Sequence, residues 1–168
     1  IWVKEGIDPE VTNGHIDDCA TFIAPGVVAC IWTDDPDYPF YRQCHEIYET
    51  LSNATDAKGR KLKVYKLPMP EKPCFMSEEE ANSIDLVNPR TAQDEPQIAS
   101  YMNYLVTNHG CIVPQYGDKN DALAVETLQK IYDETWGAGV YRCIGVDSRQ
   151  VVYGGGNIHC ITQQEPSA

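Results

Sequence analysis

The chain repeats one order of apolar runs and breaks, and this repeat limits its fold more than any single motif does. The first copy opens with two short apolar runs, residues 19–23 and 27–32, separated by Ala24-Pro25-Gly26. Two such runs on either side of a Pro-Gly turn predict a β-hairpin. Asp37 is then placed to cap a helix and Pro39 to occupy its first turn. Phe40, Cys44, Ile47 and Leu51 follow at helical spacing. Ala57-Lys58-Gly59-Arg60 breaks the helix, and residues 62–67 read as a strand. The second copy keeps this order. Runs at 101–106 and 111–113 flank Thr107-Asn108-His109-Gly110, possible caps lie between Asp118 and Asp121, and Ala124, Leu128 and Ile131 keep helical spacing. Gly137-Ala138-Gly139 ends that helix, and residues 140–146 read as a strand. The sequence therefore predicts an α/β protein of β-β-α-β units, one within residues 1–67 and one within 97–146.

Residues 68–96 join the units and carry Pro68, Pro70, Pro73, Pro89, Pro96 and the acidic run Glu78-Glu79-Glu80. A connection of this length reads either as a lid or binding loop or as a surface insertion. Residues 147–168 are expected to form a terminal strand that starts a further unit or closes the fold.

The 168 residues suffice for one domain with a real core. The chain starts at Ile1, inside the apolar run Ile1-Trp2-Val3, and reads as a fragment or processed chain with something missing upstream. No apolar stretch reaches bilayer length, and no secretory signal opens the chain. Thirteen basic and 25 acidic residues give a net charge of −12. That argues against nucleic acid and anionic membrane as partners and favours a cationic small molecule, although solubility alone accounts for it equally well. Seven cysteines, Cys19, Cys30, Cys44, Cys74, Cys111, Cys143 and Cys160, show no CxxC spacing. Several sit in apolar runs, so core filling is the reading for six of them, and the compartment reads as reducing and cytoplasmic.

Cys160 differs in its setting. The run Val151-Val152-Tyr153 ends in Gly154-Gly155-Gly156, and Asn157-Ile158-His159-Cys160 follows. Glycine lets backbone and ligand approach closely, and a cysteine on such a turn is a candidate nucleophile; a buried thiol is the alternative. His15 and Asp17 are two residues apart and share one face if the segment is an extended strand. His159 faces away from Cys160 if that segment is a strand too. His15, Asp17, Cys19, His159 and Cys160 are all possible metal ligands, but their spacing fits no structural zinc pattern. Taken together, a thiol, an imidazole and a carboxylate suit substitution at a guanidinium carbon. That carbon needs a strong nucleophile, a carboxylate to hold the flat cation and an acid for the leaving amine. Cys160, Asp17 and His15 supply one of each.

These stretches resemble the agmatine deiminases, guanidine-modifying enzymes of the pentein fold. The resemblance is carried by residues 2–10, by Thr12-Asn13-Gly14-His15-Ile16-Asp17-Asp18, by Ile98-Ala99-Ser100-Tyr101-Met102-Asn103, by Val113-Pro114-Gln115-Tyr116-Gly117-Asp118 and by residues 154–166. It implies a pentein-type α/β propeller of ββαβ repeats, with only about half of the five-unit fold in this chain. It implies Cys160 as nucleophile, His15 as general acid/base and Asp17 as guanidinium-binding carboxylate, with the backbone of Gly155 and Gly156 close to substrate. No metal or organic cofactor is implied. The implied reaction converts agmatine and water to N-carbamoylputrescine and ammonia through an amidino group on Cys160. The implied partners are an upstream half, which supplies further carboxylates and an aromatic residue, and further copies in a homo-oligomer. Free or peptidyl arginine as substrate, a non-catalytic pentein module and a metal-binding protein are the other readings. An arc of two units is expected to leave sheet edges exposed.

Overall fold

The computed structural model describes residues 1–7, 12–83 and 95–165. It contains two three-stranded sheets of the same topology. In the first, β1 (Ala20–Ala24) and β2 (Val27–Trp32) form the hairpin, with Gly26 at φ +80° in its turn. Helix α1 (Tyr41–Asn53) then carries the chain across to β3 (Lys63–Pro68), which runs parallel to β2 in register from Val27 opposite Lys63 to Trp32 opposite Pro68. The second sheet repeats the plan. β4 (Leu105–Thr107) pairs antiparallel with β5 (Gly110–Gln115), α3 (Asp121–Trp136) crosses over, and β6 (Arg142–Asp147) lies parallel to β5.

The apolar spacing that predicted the helices also points them at the core. Cys44, Ile47 and Leu51 of α1 are buried, as are Ala124, Leu128, Ile131 and Tyr132 of α3. One continuous core joins both sheets, and every cysteine except Cys160 is buried. α3 also fastens the units to each other. Trp136 donates to the Ile23 carbonyl at 3.2 Å, Tyr65 donates to Glu134 at 2.7 Å, and Asn120 donates to the Met69 carbonyl at 2.9 Å.

Four expectations need correction. Asp37 does not cap α1. Its own N–H donates to Asp35, and the helix starts after Phe40 without a side-chain cap. The strand expected at 101–106 begins only at Leu105, because Ser100 pulls the preceding residues into a turn: its hydroxyl accepts the Met102 N–H and its carbonyl accepts the Asn103 N–H. The segment holding His15 and Asp17 is not extended. Asn13 and Gly14 take positive φ, and the chain then closes a 3-10 turn over Ile16–Asp18. The terminal segment 147–168 is not a strand either. It forms a short helix α4 (Arg149–Val152) and a series of turns up to residue 161.

Within 68–96, residues 84–94, including Pro89, lie outside the described residues, as do residues 8–11 and 166–168 at the ends of the family stretches. The described part is packed down. Met69, Cys74 and Met76 are buried, and α2 (Glu78–Ser83) is held by a reciprocal cap in which Ser77 and Glu80 bond each other's backbone N–H. Glu80 also pairs with Arg149 at 3.0 Å and receives Tyr153, which ties α2 to α4. No helix among the described residues is long and apolar enough to cross a membrane.

Candidate active site

Three turns from distant parts of the sequence meet at one point. The 3-10 turn at Ile16–Asp18 is placed by a backbone contact upstream. A Cβ on Gly6 would lie 2.5 Å from the Gly14 carbonyl, so glycine is needed for the two chains to pass. Asp18 is fully buried, and its carbonyl accepts the Ser100 hydroxyl at 2.7 Å. That bond joins the first turn to the second, which carries Asn103.

The third turn carries the cysteine. Gly155 and Gly156 follow α4 at φ +84° and +120°, conformations that side chains rarely allow. A Cβ on Gly156 would fall 2.6 Å from the Cys160 sulfur, so the missing side chain leaves the space the thiol occupies. Asn157 is buried and donates to the Tyr116 hydroxyl at 3.2 Å, which in turn donates to the Ser100 carbonyl at 2.9 Å. The second turn, at Ser100, thus anchors both the first and the third.

At the meeting point, one carboxylate oxygen collects three donors. Asp17 Oδ2 lies 2.8 Å from His159 Nδ1, 3.2 Å from Cys160 Sγ and 3.3 Å from Asn103 Nδ2. Partial burial works to raise the Asp17 carboxyl. The bonds from His159 and Cys160 outweigh it, so the group titrates below the ordinary carboxylate value. Cys160 shifts the other way. Burial raises its thiol, bonds from the Asn157 backbone and the Asn103 amide work against this, and Asp17 and Asp18 add to the rise. The resting sulfur is therefore a thiol that donates to Asp17 at neutral pH. Cys160 is also exposed, unlike the other six cysteines.

The structure thus brings Cys160 and Asp17 together and sets Gly156 against the sulfur, with Gly155 next to it in the turn. His15 precedes the 3-10 turn and is exposed, and its side chain makes no hydrogen bond among the described residues. Two residues of this cluster have no catalytic role in the sequence reading, where His159 stands only as a possible metal ligand. His159 shares Asp17 with its neighbour because the segment is a turn, where adjacent side chains need not point apart. Asn103 was hidden inside a predicted strand; its only sequence signal was its place in the stretch from Ile98. Asp17, Asp18 and Cys160 present possible ligand atoms within 4.8 Å of one another. The Asn103 amide donates to all three, which puts a hydrogen-bond donor where a metal ion would sit. A cavity of about 400 Å³ lined by Trp32, Asp35, Lys66, Met69, Glu71 and Leu123 shares no residue with this site.

Residues 1–166 match the profile of the Porphyromonas-type peptidyl-arginine deiminase family. The chain belongs to this family. Within the deiminase family it is similar to a Streptococcus mutans protein assigned as an agmatine deiminase, with 50% identity over 99% of this chain and 44% of that protein. The solved agmatine deiminase of Enterococcus faecalis superposes with a TM-score of 0.89 at 51% identity, over 98% of this chain and 44% of that one. A C. jejuni agmatine deiminase solved as a Cys-to-Ser variant with substrate bound gives a TM-score of 0.69 at 27% identity, over 95% of this chain and 39% of that one. The two sheets thus form part of a pentein fold. The chain spans about half the length of the deiminases it matches, 44% for the Streptococcus protein.

Proposed function

We propose that this chain is the C-terminal half of an enzyme that hydrolyses agmatine to N-carbamoylputrescine and ammonia, completed by an upstream half. One observation carries the reading: an exposed thiol and a carboxylate, 143 residues apart in sequence, lie 3.2 Å from each other. The relatives' assignment as agmatine deiminases supports agmatine as the substrate. The free thiols fit a reducing, cytoplasmic setting, and the net charge of −12 fits attraction of a cationic substrate.

In this reading the guanidinium docks on Asp17 with paired N–H donors. The thiol gives up its proton to His15, because a cation beside the sulfur favours the thiolate. The thiolate attacks the guanidinium carbon, and a C–S bond forms. His15 returns the proton to one nitrogen, the C–N bond breaks, and ammonia departs from an amidino-thioether on Cys160. Water then gives a proton to His15 and adds to the carbon. The C–S bond breaks, the hydroxyl proton passes to the departing sulfur as the product urea leaves, and His15 releases its proton to solvent, which restores the thiol and the neutral imidazole.

The position of His159, 2.8 Å from Asp17, favours a second assignment of the proton carrier. Single substitutions His15→Ala and His159→Ala, made in the chain together with its upstream half, separate the two. If His15 is the carrier, its loss lowers kcat by about 10²- to 10⁴-fold and His159→Ala mainly raises KM. The reverse pattern transfers the role to His159.

The test of the function is ammonia release by the chain with its upstream half, from agmatine, free arginine and a peptide ending in arginine. Agmatine alone should be turned over. Turnover of an arginine substrate instead would replace the substrate assignment. No turnover of any of them, with Cys160 inert to a haloamidine, would mark a non-catalytic module.

A further inference from the structure

We propose that Asn103 is a positioning residue for the nucleophile, its amide steering the Cys160 sulfur against Asp17 and Asp18 while its side-chain carbonyl holds the turn that carries the cysteine. This rests on the reading of Cys160 as a nucleophile.

Asn103 is fully buried and uses both ends of its side chain. Its Oδ1 accepts the backbone N–H of His159 at 2.9 Å and that of Cys160 at 3.3 Å. Its main-chain carbonyl accepts the His159 N–H as well, at 3.2 Å. Two backbone donors at Oδ1 fix which way the amide faces, since only the carbonyl end can accept them. The NH₂ group must then face the reactive groups. It reaches Asp18 Oδ1 at 2.9 Å, Cys160 Sγ at 3.0 Å and Asp17 Oδ2 at 3.3 Å.

Two protons therefore serve three acceptors. An asparagine that only stapled the turn would need its carbonyl alone. Here the acceptors are two carboxyl groups and a sulfur that gains charge during the reaction. In the resting site the carboxyl oxygens draw the amide protons. A guanidinium that neutralises Asp17 releases one proton toward sulfur as the thiolate forms. Asn103 can follow that transfer of charge without leaving its place, because its other end is pinned to the turn. Its donor is fixed before the reaction and costs no reorganisation during it.

The test uses the chain with its upstream half and the variant Asn103→Asp. This isostere keeps an acceptor for the two backbone N–H groups, removes the donors and adds a carboxylate beside Asp17 and Asp18. The readout is the rate of Cys160 carbamidomethylation by iodoacetamide from pH 6 to 10, with the site identified by mass spectrometry, alongside kcat and KM for agmatine. The groups facing the sulfur are Asp17, Asp18 and the neighbouring His159. The midpoint of alkylation should move up by about one pH unit or more. kcat should fall by about 10²- to 10³-fold, with KM changed much less. Asn103→Ser is the second variant should Asn103→Asp fail to fold. An alkylation profile identical to the parent's in a folded variant would overturn the proposal and leave Asn103 a structural staple, whatever happens to kcat. If the parent turns over no guanidine at all, the alkylation profile still decides the role of Asn103 at the thiol, and only the activity reading is lost.

Discussion

Cys160→Ala, in the chain with its upstream half, should end ammonia release from agmatine, with a loss on the order of 10⁵- to 10⁶-fold in kcat. The size follows from the chemistry: a resonance-stabilised carbon meets no other thiol here, since the remaining six cysteines are buried. Binding should largely survive, because Asp17 keeps its bonds from His159 and Asn103. The companion variant Cys160→Ser sharpens the point. Serine restores a donor to Asp17 at nearly the same place, yet its oxygen is a far weaker nucleophile at this pH. Equal losses in both variants would tie the effect to sulfur chemistry. Recovery in the serine variant would mean that the thiol serves only as a hydrogen-bond donor.

Gly156→Ala should produce the second large effect, for a different reason. The residue sits at φ +120°, which costs a side chain about 1–3 kcal/mol. The new methyl would also enter the space of the Cys160 sulfur, 2.6 Å away. The sulfur must then shift away from Asp17. A displacement of that kind can lower turnover by about 10²-fold even where the fold survives. Chemical denaturation together with agmatine kinetics checks both halves of the expectation. A variant that loses stability but keeps kcat within about twofold would show that the sulfur tolerates the displacement.

Both residues stand out in the sequence, and the reason is local. A glycine run before a lone cysteine is a contiguous signal, as is the His-x-Asp step at residues 15–17. The ββαβ order was legible for the same reason, since period-two and helical spacings are written within each element. What the sequence did not disclose depends on contacts between segments. Asn103 matters through Asp17, Asp18 and Cys160, which lie 57 to 86 residues away. Ser100 bends the chain before Leu105 by bonds that a propensity reading cannot foresee. The reversal at Asn13-Gly14 replaces the expected strand with a 3-10 turn, and the turn at residues 157–161 is what brings His159 to Asp17. The Ser77–Glu80 cap, by contrast, was readable as a Ser-x-x-Glu pattern and was overlooked within a run of acids.

The first sheet is clasped by the helix of the unit that follows it, through Trp136, Glu134 and Asn120. β6 is the matching strand of the second sheet. It pairs with β5 along one edge, and among the described residues nothing pairs with the other; Ile144 and Val146 each remain 42% exposed. Stacked repeats gain stability from each interface with a neighbour, and a terminal repeat lacks one. β6 is thus an open edge among the described residues, as is β1, which pairs only with β2. The segment with the most demanding geometry, from Gly155 to Cys160, follows β6 through α4 and is held by bonds to Tyr116 and Asn103. A neighbouring unit laid over β6 would stiffen the footing of Cys160 without touching its sulfur.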